Sequence, residues 1–382
     1  MKPGWTYKKL GEVAEVQNGF AFNSKLFNEN GEGNPLIRIR DIKRNCTYTY
    51  TTENCPKEFH VENGDLLIGM DGDFNVCMWE GGHAFLNQRV CHIVPSNKVL
   101  SRFLYYLLPF PLKLINDKTT FATVKHLSSK QVCNILTPVP SIFEQHRIVE
   151  RLDAAFAQID ELKANAEKQV NEARALFQRA LTEAMEPKEG WEEKTLKDVS
   201  TIVGDYGLSI SSKPFDGVRY LRITDITDWG DLNDDIVSAN VDSDKKQQEL
   251  EEGDILFART GATVGKTLVY KKEFGECLFA GYLIRYRLDK NKISPRFMYY
   301  VTHSKKYYDW VFVNQEAAAQ PNISAKKYNL LPVNYPPLSE QHRIVARLDA
   351  LSARVRELEE IQKNVITECD NMKQAILRQV FE

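Results

Sequence analysis

FEQHRIVERLDA occupies residues 143–154, and SEQHRIVARLDA occupies residues 339–350. Ten of the twelve letters agree across a separation of 196 positions. A match of this length inside one chain points to duplication, and duplication decides the architecture before any single element does.

Working outward from the pair, the repetition extends in register. GWTYKKLGEVAEV at Gly4 answers GWEEKTLKDVSTI at Gly190, and PLIRIRDI at Pro35 answers RYLRITDI at Arg219. VENGDLLI at Val61 answers LEEGDILF at Leu250, SRFLYYLL at Ser101 answers PRFMYYVT at Pro295, and TVKHLSSKQ at Thr123 answers QPNISAKKY at Gln320. The period is too long for a solenoid. The chain is a globular part and a long helix, written twice: residues 1–142, 143–186, 187–338 and 339–382.

In the globular parts PLIRIRDI and YLRITDI alternate like strands, which puts Arg38 and Arg40 on one face and Ile37 and Ile39 on the other. GDLLIGM and GDILFAR are short apolar runs after a Gly-Asp turn and read as buried strands. SRFLYYLL and PRFMYYV open helices, with Ser101 or Ser294 near the cap.

The long helices carry heptads. From Leu152 the apolar or small positions are Ala155, Ile159, Leu162, Ala166, Ala173, Leu176 and Ala180, with Gln169 interrupting. From Leu348 they are Leu351, Val355, Leu358, Val365, Met372 and Ile376, with Gln362 and Cys369 in register. Sustained 3-4 spacing with charged flanks predicts a coiled coil. Ser141 and Glu144 fit a capping box, and Ser339 is placed to cap the second helix. Helices of this length reach about 65 Å. A two-fold relation between the duplicated units makes the helices antiparallel. The predicted fold is α+β: two duplicated mixed α/β domains separated by two long helices that form an antiparallel coiled coil.

Composition sets bounds. The 382 residues suit two domains, and 43% hydrophobic with 27% charged residues is ordinary for a soluble protein. No apolar run approaches the ~18 residues of a membrane span, and the N-terminus has no apolar signal core, so a cytoplasmic location is expected. The seven cysteines are scattered without a C-x-x-C, which reads as free thiols rather than a disulfide framework or zinc site. A net charge of −2 is low for a lone nucleic-acid binder, so local clusters or a partner must supply cations.

Several motifs suggest chemistry. GATVGKT at Gly261 resembles a phosphate loop, but only three residues separate Gly261 from Gly265, and the first copy has no lysine there. A flexible loop that offers Arg259, Thr260, Thr263 and Lys266 to DNA is the better reading. NYPPL at Asn334 shares letters with an adenine-methyltransferase loop in the wrong order, and a proline-led helix start explains it. His146 and His342 have no shared ligand partner at metal spacing. Cys46 with Cys55, and His83 with Cys91 and His92, fit no finger, and the second copy lacks them. The repeated Glu-Gln-His-Arg tetrads read either as capping plus plain surface or as a docking site shown twice. The second reading is favoured, because letter-for-letter repetition implies a shared neighbour.

The assembled pattern resembles the specificity subunit of type I restriction–modification systems over essentially the whole chain. The resemblance rests on GWxxxxLxxV opening each half, on GD[LI]L in each half, and on PPLSEQHRIVARLD from Pro336. The first copy, PSIFEQHRIVERLD, departs at Pro140 to Phe143 without losing register. The resemblance implies two target-recognition domains, each reading half of an interrupted double-stranded DNA site. It implies that the helices are spacers and dock two methyltransferase subunits through Glu144, Gln145, His146 and Arg147 and through Glu340, Gln341, His342 and Arg343. It implies no catalysis in this chain. S-adenosylmethionine belongs to the methyltransferase subunit, and ATP and Mg to the restriction subunit.

Polar loop residues in matching places are the expected base readers. In the first domain they are Asn18, Phe20, Arg38, Arg40, Lys43, Asp71, Asp73, Asn75, Lys125 and His126. In the second they are Tyr206, Ser209, Arg222, Thr224, Arg259, Thr260, Thr263, Lys266, Gln320 and Asn322. Matching positions differ in type, so the halves should read different sequences. Other readings are the recognition subunit of a variant or fused restriction system, a nucleotide-binding enzyme built on GATVGKT, and a coiled-coil scaffold without a DNA role.

Overall fold

The computed structural model describes residues 4–118, 125–240, 249–315 and 321–381. It divides into two compact units, Met1–Asn165 with Val365–Glu382, and Ala166–Asn364.

In the first unit Gly-Asp turns launch the buried strand Leu66–Gly69, which lies inside a four-stranded antiparallel sheet. The sheet order is Ala14–Asn18, Val90–Pro95, Leu66–Gly69, Val76–Met78. Apolar side chains from this sheet meet Phe103, Leu104 and Leu107 of the Ser101–Leu107 helix in one core. A second layer pairs Asn34–Ile37 in parallel with Ala84–Leu86. The second unit repeats the plan. Ser200–Tyr206, Leu283–Leu288, Ile255–Ala258 and Thr267–Val269 form its sheet, and Arg219–Leu221 pairs in parallel with Cys277–Phe279. Gly19 and Gly207 mark the same point in each, where the chain leaves the first sheet strand. A Cβ there would sit 2.2 Å from the carbonyl oxygen of Asn87 or of Phe279, so only glycine fits.

The alternating-strand expectation for Arg38 and Arg40 fails after Ile37. The strand ends there, and Ile39–Asp41 turns into a 3₁₀ helix. The cause is the repeated aspartate. Buried Asp41 accepts the Arg38 N–H at 2.8 Å, and buried Asp225 accepts the Arg222 N–H at 2.9 Å. The carboxylate at the third position of the turn takes the N–H that a ladder bond would have used. Arg40 therefore does not share a strand face with Arg38.

Both long helices form as expected, over Ile142–Met185 and Leu338–Phe381. Ser141 Oγ accepts the Glu144 N–H at 3.2 Å. Ser339, by contrast, already lies inside the second helix and is not its cap; the Pro337 carbonyl, which accepts the Glu340 and Gln341 N–H groups, starts the helix. In the first unit Lys163 pairs with Asp370 at 2.9 Å, and Asp160 pairs with Lys373. In the second, Arg174 pairs with Glu359 at 2.6 Å, and Gln362 Nε2 donates to Gln169 Oε1 at 2.9 Å. In each unit rising numbers on one helix meet falling numbers on the other, so the pairing is antiparallel.

The predicted heptad drifts. Leu162, Leu176 and Met372 are exposed, while Phe177, Leu181 and Leu377 are buried. A straight helix turns at 3.6 residues, so a 3.5-residue stripe moves off its face, and the globular cores claim the next residue along. Shifted by 196 positions, Lys163 corresponds to Glu359 and Arg174 to Asp370. The two ion pairs are thus equivalent with their charges exchanged. Either helix against its own kind would set Lys163 on Arg174 or Glu359 on Asp370, so the charges match the two helices to each other.

Candidate nucleic-acid interface

Four loop segments of the first unit converge beyond one end of the four-stranded sheet. They are the end of Ala14–Asn18, the turn after Leu66–Gly69, the turn before Val90–Pro95, and the stretch ahead of the Ser129–Cys133 helix. An isolated bridge between Asp71 and His126 ties the second to the fourth. Asp71 Oδ1 lies 2.7 Å from His126 Nδ1 and 3.7 Å from Arg89 Nη1, and Arg89 Nη1 is 3.3 Å from His126 Nδ1. Asn18 Nδ2 donates to Ser129 Oγ at 3.4 Å. The exposed acid–imidazole–guanidinium group offers donors and acceptors suited to base edges or phosphates.

The second unit builds the same convergence from other side chains. Thr260 bridges to Asn322. Arg259 Nε donates to Asn322 Oδ1 at 3.2 Å, and its guanidinium lies over the Tyr206 ring at 5.0 Å. Tyr206 Oη accepts the Ala325 N–H at 3.0 Å. Tyr282 stands where Arg89 stands in the first unit, because Leu283 pairs with Ala258 as Val90 pairs with Gly69. It is 60% exposed, which is unusual for a tyrosine with no core to fill. Ser209 sits beside the same turn, next to Gly281. Arg89 and Tyr282 were not among the expected readers. LNQRV and FAGYL share almost no letters, and only the strand register shows their equivalence.

Other expected readers are engaged elsewhere. Arg222 holds buried Asp225 and exposed Asp235, each at 2.7 Å. The hydrogen bond to Asp225 is the leading cause that raises the Arg222 pKa. Thr224 lies in the same 3₁₀ turn. Arg40 bonds Thr49 at 3.0 Å and Arg38 lies over the Phe27 ring. Phe20 packs its ring on Phe22 and Phe59. These contacts tie each of the positions to the fold of its own unit. Lys43 pairs with Asp73 at 2.7 Å, and Lys125 Nζ donates to Asn116. Asn75 gives its carbonyl to the Gly69 N–H. Gln320 lies outside the described residues.

GATVGKT is not a phosphate cradle. The N–H groups of Gly261, Val264, Gly265 and Lys266 donate to the carbonyls of Pro321, Gly261, Ala258 and Thr263. Thr263 Oγ1 bonds the Thr260 carbonyl, and Lys266 pairs with Asp228 at 2.7 Å. These four amides are used inside the unit and are not offered to a phosphate. Among the described residues there is no metal-binding group of three or more His, Cys, Asp or Glu side chains.

Residues 2–172 and 188–368 each match the type I restriction modification DNA specificity domain. The chain belongs to that family. It is 31% identical to the type I restriction enzyme EcoBI specificity subunit of Escherichia coli, over 99% of this chain and 85% of that one. It is 26% identical to the StySPI specificity subunit of Salmonella potsdam, again over 99% and 85%. A chain from a structure on complex assembly and conformational transition of the type I R-M system shares the fold, with a TM-score of 0.76, 20% identity and coverage of 100% and 98%. No described helix is long and apolar enough to cross a membrane.

Within this specificity-family chain the repeated tetrads divide into two faces. Gln145 and Gln341 are fully buried, so they are not docking surface as expected. Gln145 Oε1 accepts the Leu100 N–H at 2.9 Å, and its Nε2 donates to the carbonyls of Lys98 at 3.0 Å and Pro140 at 2.9 Å. Gln341 does the same for Ser294, Lys292 and Pro336, all at 2.8 Å. Each glutamine thereby caps the shorter helix of its own unit, where neither Leu100 nor Ser294 makes a side-chain cap. At the next-to-last residue of each quoted stretch the pattern continues inward. Asp153 takes Arg102 and Tyr106, as Asp349 takes Arg296 and Tyr300. The shared neighbour of these letters is the chain itself.

The outward face is also repeated. Glu144 pairs with Arg147 at 2.8 Å and Glu340 with Arg343 at 2.6 Å. That bond, first among its causes, holds the Glu340 carboxyl below the usual range. His146, Arg151, His342 and Arg347 are exposed and have no side-chain partner among the described residues. These letters recur with no internal reason.

Proposed function

We propose that the chain is the DNA-recognition subunit of a type I restriction–modification assembly, with each unit reading one half of a two-part double-stranded site. The observation that carries this reading is the pair of equivalent loop clusters, Asp71–Arg89–His126 and Arg259–Tyr206–Asn322, built differently on one duplicated scaffold. A shared scaffold with unlike tips suits two unlike half-sites. Arginine reads guanine and asparagine reads adenine in the major groove, each pairing being worth about 1–3 kcal/mol.

The chain supplies recognition and no catalytic step. By family resemblance adenine methylation with S-adenosylmethionine belongs to methyltransferase subunits, and ATP- and Mg-dependent cleavage to restriction subunits, in the cytoplasm. The outward faces at His146, Arg147 and Arg151 and at His342, Arg343 and Arg347 are proposed to hold two copies of the methyltransferase. Residues 1–142 and 187–338 are proposed as the two recognition domains and the long helices as their spacers.

Methylation sequencing of DNA exposed to the chain with its methyltransferase subunit tests the assignment. Arg89→Ala should lower methylation at least tenfold through one half-site, and Arg259→Gln through the other. Loss spread evenly over both half-sites in either variant would refute it.

A further inference from the structure

The turn after the buried aspartate differs between the units. In the first, the Asn45 N–H closes on the Asp41 carbonyl; in the second, the Asn233 N–H closes on the Asp225 carbonyl, so four more residues lie between. The longer loop carries Trp229 onto its own unit. The indole lies over Arg356 at 4.9 Å, sits 5.4 Å from the Phe177 ring, and donates its Nε1–H to Glu359 at 3.2 Å. The Trp229 carbonyl accepts the Tyr299 hydroxyl at 2.6 Å. Gly230 is wedged so closely that a Cβ would come within 2.9 Å of the Thr267 carbonyl oxygen and 3.0 Å of Tyr299 and His303. Asp231 pairs with Arg356.

The first unit has the walls of this seat without the occupant. Strand and helix register place Tyr105 where Tyr299 stands, Val76 where Thr267 stands, Asp160 where Arg356 stands, and Lys373 where Phe177 stands. These four side chains, with Met78 and Phe156, line an open groove of about 560 Å³. That volume lies within the usual range for a binding site. One wall has changed sign: the cation that meets Asp231 in the second unit is an acid in the first, where Asp160 is held by Lys373 across the groove until a partner's base competes for it.

We propose that this groove is a docking site for an aromatic-tipped loop of a protein partner, with a basic side chain two residues after the ring. The occupant is read from the second unit, whose own loop shows what such walls hold, and from Asp160, which replaces the cation Arg356. The ring fills the space between Tyr105 and Lys373, and the base meets Asp160. The site is independent of the DNA-reading clusters, and its test uses neither DNA nor methyltransferase, so it stands or fails apart from the proposed function.

The probe is a cyclised peptide with the sequence of Ile226–Asn233, in its own form and as the D231K form, titrated into the full chain by isothermal calorimetry. The D231K peptide should bind at least roughly tenfold tighter than the unaltered one, a factor set by one charge contact. Ala157→Trp, at an exposed helix position lining the groove, should abolish binding while leaving the thermal unfolding profile unchanged. Asp160→Arg should reverse the order of the two peptides. Absence of binding by either peptide at about 1 mM, or binding indifferent to Ala157→Trp, would overturn the proposal.

Discussion

Beside the Pro295–Val301 helix of the second unit, Trp229 occupies a seat walled by Arg356, Phe177 and Tyr299; beside the Ser101–Leu107 helix of the first, the corresponding walls stand open. The same contrast recurs in the loops, where an acid–imidazole–guanidinium group answers an arginine stacked on tyrosine. The units agree to the letter where each folds against itself. Gln145 matches Gln341, Asp153 matches Asp349, and Asp41 matches Asp225, each satisfying the same backbone or side-chain groups. They differ at the reading loops, while the outward letters His146, Arg147 and Arg151 recur as His342, Arg343 and Arg347. Identity in this chain therefore marks internal bonds and one repeated outward face, and divergence at the reading loops marks surfaces free to meet different ligands.

The largest expected effect challenges the claim of identical internal staples. Gln145→Leu and Gln341→Leu each leave one N–H and two carbonyls without their partner, a cost of about 3 kcal/mol. Hydrogen exchange resolved by segment should show each loss confined to its own unit. A slightly smaller effect separates the two seats. Trp229→Ala should destabilise the second unit by about 2–3 kcal/mol, whereas Arg44→Ala in the shorter loop should stay within about 0.5 kcal/mol. Equal shifts in the two melting transitions would remove the distinction.

Acidity should weaken only the second unit at this place, since Pro109 stands where His303 does. Burial lowers the His303 pKa from 6.5 to about 4. Between these values the unfolded ring binds a proton that the folded one refuses. Stability is therefore full above pH 6.5 and falls as the pH drops toward 4, by about 2 kcal/mol at pH 5. His303→Gln should flatten that part of the pH profile in calorimetry, and an unchanged slope would count against the assignment. The smallest effect sharpens the exchanged ion pairs. Lys163→Asp should cost about 0.5–1 kcal/mol, and adding Asp370→Lys should recover most of it.

The start of each long helix and the duplication were legible at once, because 3-4 spacing and letter identity are local signals. The buried strands after Gly-Asp were equally plain. The Arg38–Arg40 alternation misled, because a buried aspartate three residues on diverted the chain into a 3₁₀ turn. The tetrads misled in one letter of four: Gln145 is polar and sits in a polar run, yet its three partners lie five to 47 residues away. Of the expected readers, Asn18, Asp71, His126, Tyr206, Arg259, Thr260 and Asn322 do gather into the two clusters. Arg89 and Tyr282 gave no sequence signal, since only the sheet brings their turn to the others.

The sequence by itself determined the doubled plan, the two long helices and the family, because repetition and periodicity are written in neighbouring letters. Tertiary structure alone decided which face of the repeated helix start is buried, which turns share a reading cluster, and why one seat is filled and its twin is open. Those outcomes depend on strand register and on one loop longer by four residues, and both act between groups far apart in the chain.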